Sequence, residues 1–117
     1  MRKITDKFYQ VLGLCRRAGK LVSGAWASEK AIRMRKAELV IVSNDASDST
    51  KERFAKLCKS RQIDIVFTGS NEELGRSIGH NARTIIAIND KRFKAMILDT
   101  LPDMLKANMG VIDEWQK

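Results

Sequence analysis

The sequence predicts an α/β fold in which helices cover both faces of a sheet. Residues 39–42 form a continuous apolar run, the mark of a strand buried on both sides, and the largely apolar segments 63–67 and 84–88 predict two further strands. Segments with helical spacing of apolar residues separate these runs at intervals of roughly twenty residues, which is typical of an α/β domain. At 117 residues the chain is long enough for one compact domain with its own core.

The first third of the chain predicts two helices around a short strand. Apolar residues recur at positions 4, 8, 11, 12 and 15 with helical spacing, and Gly19 suits a left-handed cap at the end of that helix. Leu21 and Val22 predict a short strand, and Gly24 opens the second helix. The core side of that helix is predicted to consist of Ala27, Ala31 and either Met34 or Ile32.

Three further helices are predicted beyond the first buried strand. Residues 43–47 form a loop rich in capping residues, and the helix after it carries Phe54, Leu57 and Cys58 on its inner face. Ser70 and Glu73 fit a capping box that opens a short helix, and residues 79–82 form a turn. Residues 90–98 form another helix with Phe93, Met96 and Ile97 on its apolar side.

The C-terminal end predicts an additional helical tail. Pro102 suits the first turn of a further helix and Gly110 suits its end. We therefore assign residues 1–99 to one domain and residues 100–117 to a helical extension. Two interpretations of the extension stay open: it docks on the domain, or it recruits a protein partner or a second copy. Its large apolar residues are Met104, Leu105, Met109, Val111, Ile112 and Trp115.

Charge is distributed very unevenly along the chain. The formal net charge is +8, yet residues 1–36 hold 10 Lys and Arg against 2 Asp and Glu, while residues 37–117 hold 12 against 12. A basic end on a neutral body predicts a docking face for a polyanion such as RNA.

Other functional classes lack the residues they need. No apolar run approaches the length of a membrane span, and the N-terminus lacks the pattern of a signal peptide. Cys15 and Cys58 fall within amphipathic patterns, so we expect reduced core thiols in a cytoplasmic protein. His80 is the single histidine, and no nucleotide-binding glycine motif or nucleophile elbow occurs. The sequence predicts no catalytic residue, metal or cofactor.

The predicted binding site lies at the start of the second helix. A glycine at this position leaves backbone amides free to donate to phosphates or bases. Lys30 and Arg33 are three residues apart and share one helix face, and Lys20 extends the basic surface from the preceding segment. Trp26 has two open interpretations: it stacks on an extruded base, or it is a partly buried core residue.

An ordered set of short motifs runs through most of the chain: it begins with Leu14-x-x-Arg17-Ala-Gly19-Lys20-Leu-Val-Ser-Gly24, continues with Lys30-Ala-Ile-Arg33 and Lys36-Ala-Glu-Leu-Val-Ile-Val42, and extends to near Asp90. This set resembles the L7Ae/L30e superfamily of ribosomal and kink-turn RNA-binding proteins, and its bacterial YlxQ-type members most of all. The resemblance implies a three-layer α-β-α sandwich around a four-stranded mixed sheet, with no catalytic activity.

The resemblance also implies where RNA binds. The family's glycine and lysine fall on Gly24 and Lys30, and its second recognition loop falls on residues 78–83. The best-known kink-turn readers carry Asn-Glu where this chain has Trp26-Ala27, a departure that removes their hydrogen bonds to the bent motif. The complete predicted RNA-binding set is Lys20, Gly24, Ala25, Trp26, Ala27, Lys30, Arg33, Gly79, His80, Asn81 and Arg83.

Three functions compete on this basis. The leading prediction is a non-catalytic protein that binds a structured RNA, such as a ribosomal or regulatory RNA with a bent internal loop. The second is a protein-interaction adaptor that acts through the apolar tail. The third is an accessory module of an RNA-modifying assembly.

Overall fold

The computed structural model describes residues 6–102, which contain five helices and one sheet of four strands. The helices are α1 (Asp6–Arg17), α2 (Ala25–Arg33), α3 (Asp48–Arg61), α4 (Asn71–Ser77) and α5 (Lys91–Asp99). The strands are β1 (Leu21–Ser23), β2 (Leu39–Val42), β3 (Asp64–Phe67) and β4 (Ile85–Ile88). The described residues end at Pro102, so the predicted tail helix up to Gly110 lies outside them.

The sheet is mixed, as the family resemblance implied. Its strand order is β1-β4-β2-β3, with β2 parallel to β3 and with β4 antiparallel to both of its neighbours. Every residue of the two central strands, β2 and β4, is buried. Their sequences are continuous apolar runs because both of their faces are covered.

Helices on both faces of the sheet enclose two cores. One core packs Phe8 and Leu12 of α1, Leu74 of α4 and Ile97 of α5 against alternate strand residues such as Leu39 and Ile41. The other packs Ile32 of α2 and Phe54 of α3 against the intervening residues, such as Val40 and Val42. The predicted three-layer sandwich is therefore confirmed.

The structure decides between the two candidates for the core side of α2. Ile32 is fully buried, whereas Met34 is 53% exposed. The reason is that α2 ends at Arg33 and Met34 already belongs to its C-terminal cap, so helical periodicity no longer governs the position. Cys15 and Cys58 are buried and free, as predicted.

Local hydrogen bonds explain where the helices begin. The hydroxyl oxygens of Ser47 and Ser70 accept from the backbone amides of Thr50 and Glu73, each at 3.1 Å. The Glu73 carboxylate, which a full capping box would turn back to the amide of Ser70, instead accepts from the Tyr9 hydroxyl at 3.1 Å. This contact ties α4 to α1.

Asp90 caps α5, and its contribution to stability should depend on pH. Its carboxylate accepts from the amides of Phe93 and Arg92, which hold the pKa of Asp90 below its ordinary value. A depressed folded-state pKa stabilises the protein above the unfolded pKa of about 3.9, and this contribution is lost as the pH falls through the folded value. We expect Asp90→Ala to lower the urea midpoint at neutral pH, and this difference to shrink in acid. An equal difference at both pH values would contradict this role.

Candidate nucleic-acid interface

Gly24 connects β1 to α2 in a conformation that other residues rarely adopt. Its φ is 92° and its ψ is 157°, a region populated almost only by glycine. Its amide donates to the Ile85 carbonyl oxygen at 2.8 Å, which holds the turn against β4. A Cβ built on Gly24 would meet no atom within 4 Å. Its backbone conformation, not packing within the chain, is therefore what requires glycine here, and the space above it is open.

The first turn of α2 presents free hydrogen-bond donors beside this open space. The first amides of an α-helix have no partners within the helix, and no side chain caps α2. Ala25 and Trp26 are exposed, and Ala27 is half-buried. The helix dipole adds partial positive charge at the same end, so the turn is suited to phosphate or base acceptors.

The loop between α4 and β4 is held in place by a close backbone contact. A Cβ built on Gly75 would lie 1.8 Å from the carbonyl oxygen of Asn81 and 2.9 Å from the Cα of Ala82. The Gly75 carbonyl oxygen accepts from the amide of His80 at 2.8 Å. Gly79, with φ of 77°, makes the reversal that brings the chain back over α4. Gly79, His80 and Asn81 are exposed.

Arg83 joins this loop to the start of α2. Its Nε donates to the Ser23 hydroxyl at 3.1 Å, and its guanidinium lies 3.3 Å from Nδ1 of His80. Ser23 immediately precedes Gly24, so the loop and the first turn of α2 are neighbours at one edge of the sheet. The structure therefore brings together Gly24–Ala27 and Gly79–Arg83, the two segments implied by the resemblance.

The outward face of α2 carries the predicted basic residues in a network. Lys30 Nζ lies 5.2 Å from the centroid of the Trp26 ring, a cation–π contact. Arg33 Nε donates to Glu29 Oε2 at 2.9 Å, and Arg53 of α3 pairs with the other oxygen of the same carboxylate. The hydrogen bond from Arg33, with Arg53 adding to it, lowers the pKa of Glu29. One carboxylate among three cations leaves this face positive.

Sequence reasoning missed two members of this network. The spacing of Glu29 and Arg33, four residues apart, is a readable signal for a helical ion pair. The sequence contains no such signal for Arg53, because its approach to α2 depends on how α3 packs beside α2.

Lys20 lies at the end of β1 opposite Gly24. Its carbonyl oxygen accepts from the amide of Asn89 at 2.8 Å, next to the pairing of Leu21 with Ile88. Gly24 follows the opposite end of β1, so at roughly 3.3 Å per residue its Cα lies about 13 Å from that of Lys20. The structure therefore does not bring Lys20 to the first turn of α2.

Neither cysteine is activated as a nucleophile, and the described residues contain no metal-binding cluster. Burial raises the pKa of the Cys15 and Cys58 thiols to about 12, which keeps both protonated. Within residues 6–102, no group of three His, Cys, Asp or Glu side chains is placed to hold a metal ion. No helix in that range is long and apolar enough to cross a membrane.

The fold and the two neighbouring segments, Gly24–Ala27 and Gly79–Arg83, indicate the class of protein. In this α-β-α sandwich with strand order β1-β4-β2-β3, the start of α2, which Gly24 precedes, lies beside the loop between α4 and β4. The family model for the ribosomal protein L7Ae/L30e/S12e/Gadd45 family matches residues 6–98. The chain belongs to this family.

Individual relatives agree with that assignment. The chain is 35% identical over 95 residues to the RNA-binding protein YlxQ of Bacillus subtilis, an alignment covering 81% of this chain and 95% of that protein. A solved structure of a protein of unknown function from Bacillus halodurans is 33% identical with a TM-score of 0.78, covering 82% of this chain and 97% of that one. The Giardia lamblia 15.5kD RNA binding protein, 21% identical with a TM-score of 0.70, shares the fold over 86% of each chain.

Proposed function

We propose that this protein is a non-catalytic, cytoplasmic RNA-binding protein that receives a structured RNA across the first turn of α2 and the loop Gly79–Arg83. The observation that carries the proposal is the junction made by Arg83, which holds the loop against Ser23 beside the open space at Gly24. The family membership and the naming of the Bacillus subtilis relative as RNA-binding support it.

The residues take two kinds of role in this proposal. Lys30, Arg33 and Arg83 contact phosphates and fix the position of the RNA, while the amides of the first turn of α2 and the exposed loop read its shape. Lys20 would contact a phosphate only where the RNA extends along β1. We propose a sharply bent internal loop as the RNA shape, since that is the ligand type of the kink-turn branch of the superfamily. Trp26 and Ala27 lack the hydrogen-bonding groups with which that branch reads base pairs.

Removing the two cations of α2 should weaken RNA binding without unfolding the protein. We expect Lys30→Ala/Arg33→Ala to lower the affinity for a hairpin with a bent internal loop at least about tenfold, because each hydrogen bond to a charged group contributes roughly 1.5–3 kcal/mol. The slope of log affinity against log salt should fall by roughly 1.4–1.8, since each lost phosphate contact accounts for about 0.7–0.9. Both side chains are exposed, so thermal stability should change little.

The matched control removes the same charge from the other side of the molecule. Lys91 and Arg92 are exposed in the first turn of α5, across the sheet from α2. Lys91→Ala/Arg92→Ala should leave the affinity near that of the wild type. An equal loss in both double variants would show that only net charge matters and would overturn the site. Crosslinking and sequencing of bound RNA in cells, with the α2 variant as control, would then identify the RNA.

A further inference from the structure

Trp26 is exposed in a way that nothing in the fold explains. It is 76% exposed, although it lies in the first turn of a helix that packs on the sheet. The buried side of α2 is formed by Ser28, Ala31 and Ile32, and these residues anchor the helix without Trp26. The exposed Met34 lines the same groove as Trp26, so the two form an apolar surface bordered by cations, which points to a ligand.

One face of the Trp26 ring is in contact with a cation, and the other face is exposed to solvent. Lys30 Nζ lies over the ring at 5.2 Å from its centroid. Because the two faces make up most of the area of an indole, a residue that is 76% exposed cannot have its second face covered as well. The cation on one face also restricts the ring, so less freedom is lost when a flat group stacks on it.

The surroundings of the ring favour a nucleotide over other flat ligands. A shallow groove of about 270 Å³ runs along the outward face of α2, lined by Trp26, Glu29, Lys30, Arg33 and Met34. The cations Lys30, Arg33 and Arg53 outnumber the single carboxylate of Glu29 on this face. A ligand that is planar and apolar on its faces but anionic at its edge matches this arrangement.

We propose that Trp26 is a stacking platform for one unpaired nucleobase of the bound RNA, with Lys30 and Arg33 beside it for the flanking phosphates. The proposal rests on the RNA-binding function above and specifies its ligand: an RNA with an extruded nucleotide next to the bend. Trp26 stands where kink-turn readers place a polar side chain, so stacking replaces hydrogen bonding at this position. Every base has a π face, so the platform selects unpaired nucleotides with little preference for base identity.

The test measures the affinity of this chain for three fluorescently labelled RNA hairpins. One has a bulge of unpaired nucleotides, one has the same bulge with an abasic site, and one is fully paired. We expect the wild type to bind the bulged hairpin about five- to a hundredfold more tightly than the other two. Trp26→Leu should abolish the difference between the bulged and the abasic hairpins, and Trp26→Phe should retain part of it.

Controls separate this proposal from the function on which it rests. Met96, which the sequence predicted on the apolar side of α5, is instead 43% exposed. Met96→Ala should leave the ratio unchanged, as a test of exposed apolar area alone. A preference for the bulged over the abasic hairpin that survives in Trp26→Leu, or an abasic hairpin that the wild type binds as tightly as the bulged one, would overturn the platform but leave RNA binding intact. Wild-type protein that binds no hairpin would overturn both. Loss of self-association in Trp26→Leu, with unchanged RNA ratios, would assign the residue to a protein contact instead.

Discussion

Gly75→Ala should destabilise the protein and displace the loop Gly79–Arg83. The new Cβ would lie 1.8 Å from the carbonyl oxygen of Asn81 and 2.6 Å from its carbonyl carbon, and both atoms belong to the backbone. No side-chain rotation relieves such an overlap, so either α4 or the loop must move. We expect a loss of about 1–3 kcal/mol or more in the free energy of unfolding, as for overpacking elsewhere.

The same substitution should also impair RNA binding, since the loop is half of the proposed surface. Displacement would weaken the hydrogen bond from His80 to Gly75 and shift the anchor that Arg83 makes with Ser23. Thermal melting and hairpin affinity measured on the same sample test both effects. At roughly 4–8 °C per kcal/mol for a domain of this size, the change in melting temperature is easily measured.

Gly13→Ala is the matched control for this experiment. Its Cβ would lie 3.0 Å from the Ser77 carbonyl oxygen, a tight contact that a small shift between α1 and α4 relieves. Alanine is also preferred over glycine within a helix by about 1 kcal/mol, which offsets the strain. A Gly75→Ala protein that melts and binds RNA like the wild type would show that this contact does not fix the loop.

Gly24→Ala should reduce RNA affinity by more than its effect on folding explains. At φ of 92° and ψ of 157° an alanine is strained, which costs of order 1–3 kcal/mol of stability. The methyl group would clash with no atom of the described chain, because it projects into the open space over the first turn of α2. That space is where the proposed RNA comes close to the backbone, so the methyl group opposes binding directly.

Gly19→Ala separates strain from obstruction. Gly19 has φ of 74° and an equally open Cβ position, but it precedes β1, at the end of the strand away from Gly24. We expect a comparable loss of stability, about 1–2 kcal/mol for a left-handed alanine, with unchanged RNA affinity. Equal losses of affinity in the two variants would mean that strain alone acts and that the backbone at Gly24 does not approach the RNA.

The helices and strands were largely predictable from local patterns. Apolar segments located β2 and β4, and the capping residue Ser70 marked the start of α4, whereas Asp90, expected inside the last helix, is the N-cap of α5. Strand boundaries differed by one residue, as at Asp64 where 63 was expected. The resemblance implied a mixed sheet of four strands, but the strand order was not predicted, because alternation along a strand does not specify its neighbours.

Most residues of the candidate site were predictable from the sequence, but their positions relative to one another were not. Arg83 was expected to contact RNA. Its hydrogen bond to Ser23, however, joins residues 60 positions apart, and no local sequence pattern predicts it. No structural role was predicted for Gly75, because the role of a glycine inside a helix becomes apparent only when the loop packed against it is known. The separation of Lys20 from Gly24, in contrast, follows from the extended strand Leu21–Ser23 between them and needs no long-range contact. Long-range pairing creates the site, and it is the part that the sequence leaves open.

The most direct test of the proposed surface is a nuclear magnetic resonance titration of the labelled protein with the bulged hairpin. We predict that amide signals shift at Gly24–Ala27, at Lys30 and Arg33, and at Gly79–Arg83, while those of α5 (Lys91–Asp99) stay in place. Shifts confined to α1 and α5, on the other face of the sheet, would contradict the proposed interface. Absence of any shift at physiological salt would contradict binding of this RNA altogether.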